Sequence, residues 1–231
     1  MNISETSAVF FDFGDTLVTL PIPRESLFVC AAESIGLELN VEAVRRAYQI
    51  VDFNQKYSSI KVRDRSEFYR QYNELICEAL GISTHFEILL PAITAEFANN
   101  RGWVLFDDVH EVLSKLKRRQ LPLAIVANWD SNLEDVCTRL DIRDFFSAIV
   151  PSQTVGVEKP DPAIFRVALE QLGLTNSPEK VVYIGNEYKA DVLGSRAAGL
   201  VPVLIDRSGQ YPHADCLKFR SLSEWLAKMN Y

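Results

Sequence analysis

Ala8-Val9-Phe10-Phe11-Asp12-Phe13-Gly14-Asp15-Thr16-Leu17 is an apolar run that drives into a carboxylate, followed by a turn with a glycine and a hydroxyl. A short run that is apolar on both faces reads as a central strand of a parallel sheet, covered by helices on each side. Asp12 then stands at the carboxyl end of that strand, where open α/β sheets form their ligand crevice. A carboxylate there is a nucleophile, a metal ligand or a cap of the turn, and turn chemistry alone favours the cap.

Downstream, strands and helices alternate. Asp108-Val109-His110-Glu111 reads as the capped start of a helix that ends in Lys115, Lys117, Arg118 and Arg119, with acids first and bases last as the helix dipole prefers. A strand from Leu121 to Ala127 follows, then a capping box at Ser131-Asn132-Leu133-Glu134 with its helix. Further strands are expected near Ala148 to Val150, at Val181 to Ile184 and at Val201 to Ile205. Helices are expected over Pro162 to Leu172 and Ala190 to Ala198, and Ser221-Leu222-Ser223-Glu224 opens a terminal one. Alternation of this kind specifies a parallel sheet with helices on both faces.

Between Pro21 and Asn100 the texture is helical. Val41, Val44, Tyr48 and Val51 recur at helical spacing, with Arg45, Arg46 and Gln49 on the other side. Asp64-Arg65-Ser66-Glu67 has the form of a capping box, Gly81 stops the helix it opens, and His85 to Asn99 forms another. Pro91 is compatible with that last helix only in or near its first turn. The organisation expected is an α/β core domain from 1–20 and 101–231, with a small helical bundle from 21–100.

The chain has 231 residues and a net charge of −7, which argues against a general nucleic-acid binder. Cys30, Cys77, Cys137 and Cys216 are widely spaced and read as buried thiols of a reducing compartment. The polar start and the shortness of the first apolar run suggest neither signal peptide nor membrane span, so a cytoplasmic location is expected.

Lys159 stands out next. It precedes Pro160, so its backbone is extended, while Asp161 can cap a helix and Pro162 suits its first position. A cation just before a helix N-terminus opposes the dipole, so a compensating anion is expected. Asp12 would supply part of it.

Four segments now stand in order: Asp12 to Leu17; Val126-Ala127-Asn128; Val157-Glu158-Lys159-Pro160-Asp161-Pro162; and Ile184-Gly185-Asn186 through Asp191. In order and spacing they resemble the four motifs of the haloacid dehalogenase superfamily of hydrolases, in the branch whose helical cap is inserted after the first strand. The likeness covers essentially the whole Rossmann-like core; in the cap it rests on position and helical character. It implies a magnesium-dependent phosphatase acting on a small phosphorylated molecule through an aspartyl-phosphate at Asp12. Lys159 would balance charge, and Asn128, with Thr16, Ala127 and Lys159, would face the substrate. Asp12, the carbonyl oxygen of Gly14, Asn186 and Asp191 would hold Mg2+, which prefers a few oxygens in octahedral array. The bundle would act as cap, where Arg24, Arg45, Arg46, Arg63 or Arg65 could meet an anion.

Three positions depart from the family pattern. Gly14 fills the slot of the usual general acid/base, with Asp15 one position late and read as a turn residue. Ala127 replaces the usual Ser or Thr, and Asn186 replaces a metal-binding Asp. Two other readings follow: carbon–halogen cleavage of a 2-haloacid, which needs Asp12 and Lys159 without a metal, and a catalytically impaired member with a binding role.

Overall fold

The computed structural model describes residues 6–53, 65–99 and 102–229. The chain divides into two compact units, Met1–Thr19 with Trp103–Tyr231, and Leu20–Gly102. Strand β1 (Ala8–Phe11) is buried throughout. After it the chain turns tightly: the Leu17 and Val18 amides donate to the Phe13 carbonyl, and the Asp15 amide donates to Val18. Asp15 sits at φ +55° and is exposed, so it serves the turn, as expected. Strand β2 (Val18–Thr19) pairs antiparallel with β3 (Val104–Leu105), two strands too short to show a period in sequence.

In the unit Leu20–Gly102 the described residues form helices α1 (Arg24–Ser34), α2 (Val41–Phe53), α3 (Arg65–Leu80) and α4 (Phe86–Asn99), the last preceded by a short 3-10 turn. Their shared core includes Phe28, Val44, Tyr48, Val51, Ile76, Leu89 and Ile93. Gly81, at φ +73°, ends α3: its amide and that of Ile82 donate back to Glu78 and Cys77. Pro91 lies past the first turn of α4, contrary to expectation. It is exposed, so the carbonyl it deprives of a donor meets water and the helix continues. The Asp64 end of the capping box and Arg63 lie outside the described residues, as does the Arg65 side chain. Arg24 is committed within this unit, to Asp52 at 2.6 Å and the Tyr72 hydroxyl at 3.2 Å. Arg45 pairs with Glu25 and Glu42.

The first unit resumes with α5 (Val109–Arg118), β4 (Leu123–Ala127), α6 (Leu133–Arg139), β5 (Ala148–Pro151), α7 (Ser152–Val155), α8 (Pro162–Gln171) and β6 (Val181–Gly185). A π-helical turn (Tyr188–Leu193), α9 (Gly194–Ala197), β7 (Val201–Ile205), β8 (Leu217–Phe219) and α10 (Leu222–Lys228) complete it. Six strands form one parallel sheet in the order β5-β4-β1-β6-β7-β8. The alternation within β1 divides the core. Val9 and Phe11 pack with α5, α6 and α10 on one face, and Ala8 and Phe10 pack with α8 on the other. Helices cover both faces, as the apolar run implied.

Two caps are placed differently from the sequence expectation. Asp108 makes no cap bond to α5. Its carboxylate instead takes Arg207 at 3.0 Å and the Leu222 amide at 2.7 Å, the N-terminus of α10, where both a cation and free N–H groups are offered. Ser131-Asn132-Leu133-Glu134 forms no capping box either: the Asn132 side-chain oxygen accepts from the Trp129 indole at 3.2 Å. The helix expected over Ala190 to Ala198 starts earlier and splits into the π-helical turn and α9. All four cysteines are free, but only Cys77 and Cys137 are buried; Cys30, on α1, is exposed and Cys216, in the bend before β8, is half-buried. Among the described residues no helix is long and apolar enough to cross a membrane.

Candidate active site

The sheet brings three strand ends and the entry to α8 to one edge. Asp12 follows β1, Asn128 follows β4, Lys159 precedes α8, and Asn186 and Asp191 follow β6. Asp12 continues the ladder of β1, its amide donating to Ile184 at 2.8 Å, so the carboxylate leaves a fixed backbone. Asp161 caps α8 by accepting the Ala163 amide at 2.9 Å, with Pro162 at the first helical position. Lys159 is thus anchored at the mouth of a capped helix. The Asn128 amide clamps it further: Nδ2 donates to the Lys159 carbonyl at 3.0 Å and Oδ1 accepts its N–H at 2.7 Å. Ala127, at the end of β4, is fully buried and its methyl belongs to the apolar core.

The Lys159 side chain is 2% exposed. Its Nζ donates to Asp12 Oδ1 at 2.6 Å, Asp191 Oδ1 at 2.7 Å and the Tyr183 hydroxyl at 2.9 Å. Three donors meet three acceptors, which is the full capacity of an ammonium. Burial by itself would favour the neutral amine, but the Asp12 and Asp191 carboxylates outweigh it, and the Lys159 pKa is raised. Burial pushes the Asp12 carboxyl up to about 6, against the pull of Lys159 and with help from the charge of Asp191. The Tyr183 hydroxyl donates to the Val126 carbonyl at 2.8 Å, and burial beside Asp191 raises its pKa well above the ordinary phenol value.

Asp191 reaches this cluster through two local features. It lies in the π-helical turn, a form often found at functional sites, and its Oδ2 accepts the Glu187 amide at 2.8 Å. It also folds back onto Gly185, where a Cβ would stand 2.3 Å from its Cγ, so no other residue fits there. Both Asp191 oxygens are therefore hydrogen-bonded within the protein, and Asp191 stands in this geometry as the second partner of Lys159.

The other Asp12 oxygen faces a second group. Thr16 Oγ1 donates to Asp12 Oδ2 at 3.0 Å. One terminal atom of the Asn186 amide lies 3.0 Å from Asp12 Oδ2, 3.1 Å from the Gly14 carbonyl and 3.2 Å from Thr16 Oγ1. With the amide oxygen turned inward, these are the edges of a set of oxygens. Magnesium at 2.0–2.1 Å in an octahedron requires edges of about 3.0 Å, and the two edges from Asn186, to Asp12 and to the Gly14 carbonyl, match that spacing. The charge they offer is low: among the described residues no three His, Cys, Asp or Glu side chains cluster as a metal site.

Sequence reasoning missed three residues. In sequence Tyr183 counts only as part of an apolar strand; its signal is the one polar-tipped side chain in Val181-Val182-Tyr183-Ile184. Gly185 belongs to the motif, but its packing reason is visible only in the fold. Trp129 carries no sequence signal: its ring edge lies 3.4 Å from where a Cβ of Gly14 would be, and it stacks edge-on against Phe13 and Trp103, each at 4.9 Å. An indole thus borders the space over residue 14.

Residues 6–199 match the haloacid dehalogenase-like hydrolase family. The chain belongs to that family. It is 29% identical to haloacid dehalogenase-like hydrolase domain-containing protein 3 of Danio rerio, over 96% of each chain. It is 30% identical to the glyceraldehyde 3-phosphate phosphatase of Methanothermobacter thermautotrophicus, over 86% of this chain and 85% of the relative. Among solved structures, the putative HAD-hydrolase YfnB from Bacillus subtilis superposes with a TM-score of 0.73 at 20% identity, covering 98% of this chain and 99% of that one. A dehalogenase superposes with a TM-score of 0.69 at 21% identity, covering 96% of each. The α/β core with its parallel sheet is the fold of this hydrolase family, and the chain is a haloacid dehalogenase-like hydrolase.

Proposed function

We propose that this hydrolase is a phosphatase that cleaves a small phosphomonoester, with Asp12 as nucleophile. The observation that carries the reading is the Lys159 ammonium, buried and held 2.6 Å from Asp12 Oδ1, beside a second Asp12 oxygen held by Thr16. A carboxylate fixed at both oxygens is aimed, and a full positive charge stands where the charge of a phosphoryl group would arrive. The archaeal relative whose name is a phosphatase supports the same class.

In this reading Asp12 Oδ1 attacks phosphorus, the ester P–O bond breaks, and the leaving alkoxide takes a proton from water. A second water then cleaves the aspartyl-phosphate, returning phosphate and the Asp12 carboxylate and splitting one hard step into two. Lys159 neutralises charge throughout, Asn128 holds Lys159 in place, and Asp191 with Tyr183 orients its ammonium. Magnesium, held by Asp12, the Gly14 carbonyl and Asn186, would add positive charge toward the phosphoryl oxygens. Residues 21–100 take the part of a cap that selects the substrate, and the chain acts on small molecules in the cytoplasm.

Gly14 and Asn186 favour one alternative, carbon–halogen cleavage by the same Asp12, since neither an acid at position 14 nor a metal is then required. A panel of small phosphomonoesters and 2-haloacids, assayed with magnesium and with EDTA, separates the two by release of phosphate or halide. Phosphate release that needs magnesium and falls to background in Asp12→Asn is the expected result. An active Asp12→Asn variant as fast as the parent would remove Asp12 as nucleophile from both readings, and release of neither phosphate nor halide by the parent would leave a binding role.

A further inference from the structure

The atom of the Asn186 amide directed at Asp12 faces three acceptors. Asp12 Oδ2 and the Gly14 carbonyl carry no hydrogen to give, and Thr16 donates its single hydroxyl proton to Asp12 Oδ2. The opposite end of the amide faces only donors. With no cation between these groups, both ends are satisfied with the nitrogen inward, at 3.0 Å from Asp12 Oδ2, 3.1 Å from Gly14 O and 3.2 Å from Thr16 Oγ1. The same atom position, filled by the oxygen, supplies the third corner of the magnesium-sized set described above. An amide presents nitrogen or oxygen to one point by a half-turn about its Cβ–Cγ bond, and the two ends occupy nearly the same volume.

We propose that Asn186 stands in for the cation. With nitrogen inward, its two N–H bonds tie Asp12 to the Gly14 carbonyl and keep the carboxylate aimed with no metal bound. With oxygen inward it becomes a neutral metal ligand. Magnesium must then displace hydrogen bonds already made, and it gains no carboxylate charge for doing so. Metal binding is therefore weak, and the fold of the site does not depend on it. A carboxylate at position 186 has no N–H to offer and so has only the second state: without a cation it sets one acceptor oxygen about 3 Å from Asp12 Oδ2 and from the Gly14 carbonyl, with no hydrogen between them. This inference concerns how the pocket is held and is independent of the reaction proposed above.

The test is thermal unfolding of the full chain and of Asn186→Asp, each in EDTA and in millimolar magnesium chloride. The parent should shift by no more than about 2 °C between the two, the result of a ligand near or below its dissociation constant. Asn186→Asp should melt several degrees below the parent in EDTA and gain about 5–10 °C when magnesium exceeds its dissociation constant about a hundredfold. A parent that gains as much from magnesium as Asn186→Asp would overturn the proposal, as would an Asn186→Asp variant as stable as the parent in EDTA. Should the variant not fold, 15N-labelled parent decides. In EDTA the side-chain NH2 pair assigned to Asn186 should exchange slowly with solvent, and saturating magnesium should move its resonances. Fast exchange of the Asn186 NH2 pair in the metal-free protein would refute the nitrogen-inward state. Neither readout requires a substrate.

Discussion

Replacing Lys159 with methionine removes the cation shared by two buried carboxylates while roughly keeping the side chain's length. Asp12 Oδ1 and Asp191 Oδ1 lie 2.6 and 2.7 Å from the same nitrogen, so the two oxygens are no more than about 5 Å apart. Two unit charges at that distance repel by about 3 kcal/mol at an effective dielectric constant of about 20. Removing one partner from a buried ion pair costs about 3–5 kcal/mol for the same reason. A chain of this size loses about 2–4 °C of melting temperature per kcal/mol, so Lys159→Met should melt about 6–20 °C below the parent at pH 8. The deficit should shrink as pH falls. Asp12 is already held above its ordinary pKa, at about 6, and loses the pull of Lys159 in the variant, so its folded-state pKa rises further. A carboxyl with a folded pKa above the unfolded one binds the extra proton in the folded state, so its contribution to stability declines as pH rises through that window. Calorimetry at pH 5 and pH 8 reads both effects, and adding Asp191→Asn should restore part of the loss. Lys115→Met is the control. Its pair with Glu111 is exposed, 42% and 62% at the two side chains, and should be worth no more than about 0.5 kcal/mol. A Lys159→Met protein melting within about 2 °C of the parent at pH 8 would refute the buried three-way contact.

Other perturbations separate the parts of the site. Tyr183→Phe deletes the hydroxyl that joins Lys159, Asp191 and the Val126 carbonyl, and leaves that carbonyl without its donor; chemical denaturation should show a loss of about 1–3 kcal/mol. Gly185→Ala places a methyl 2.3 Å from Asp191 Cγ and must push Asp191 off Lys159. Its melting temperature should fall along with phosphate release, whereas a silent variant would mean that Asp191 is not folded back as described. Gly14→Asp meets no backbone bar, since Gly14 is not at positive φ, and its Cβ reaches ordinary contact distance, 3.4 Å, from Trp129. If the site lacks a general acid, this variant should raise phosphate release about a hundredfold or more, and a fall or no change would count against that weakness.

The legible and illegible parts of this chain differ by the range of the forces that write them. Ala8 to Phe11 is apolar at every position because both faces of β1 are covered, and covering both faces takes helices between parallel strands; the run and the downstream alternation therefore carry the same information. The cap at Asp161 is legible because its partner, Ala163, is two residues away. Asp108 looks just as good as a cap, yet the free N–H groups it satisfies belong to Leu222 and Ser223, and the cation that holds it there is Arg207. No local pattern records a competitor about a hundred residues off. The same limit governs the site. The charge argument at Lys159 calls for an anion and names Asp12, but burial of the ammonium requires all three of its donors to be met, and that demand is silent in the sequence. It is Tyr183, an ordinary strand residue, and Asp191, swung inward by a wide turn over a side-chain-free Gly185, that meet it. Motif reading places Asp191 with the metal because it counts residues along the chain. The folded geometry places it on Lys159, because a fully buried ammonium beside one carboxylate still lacks acceptors, and the second carboxylate is the strongest acceptor within reach.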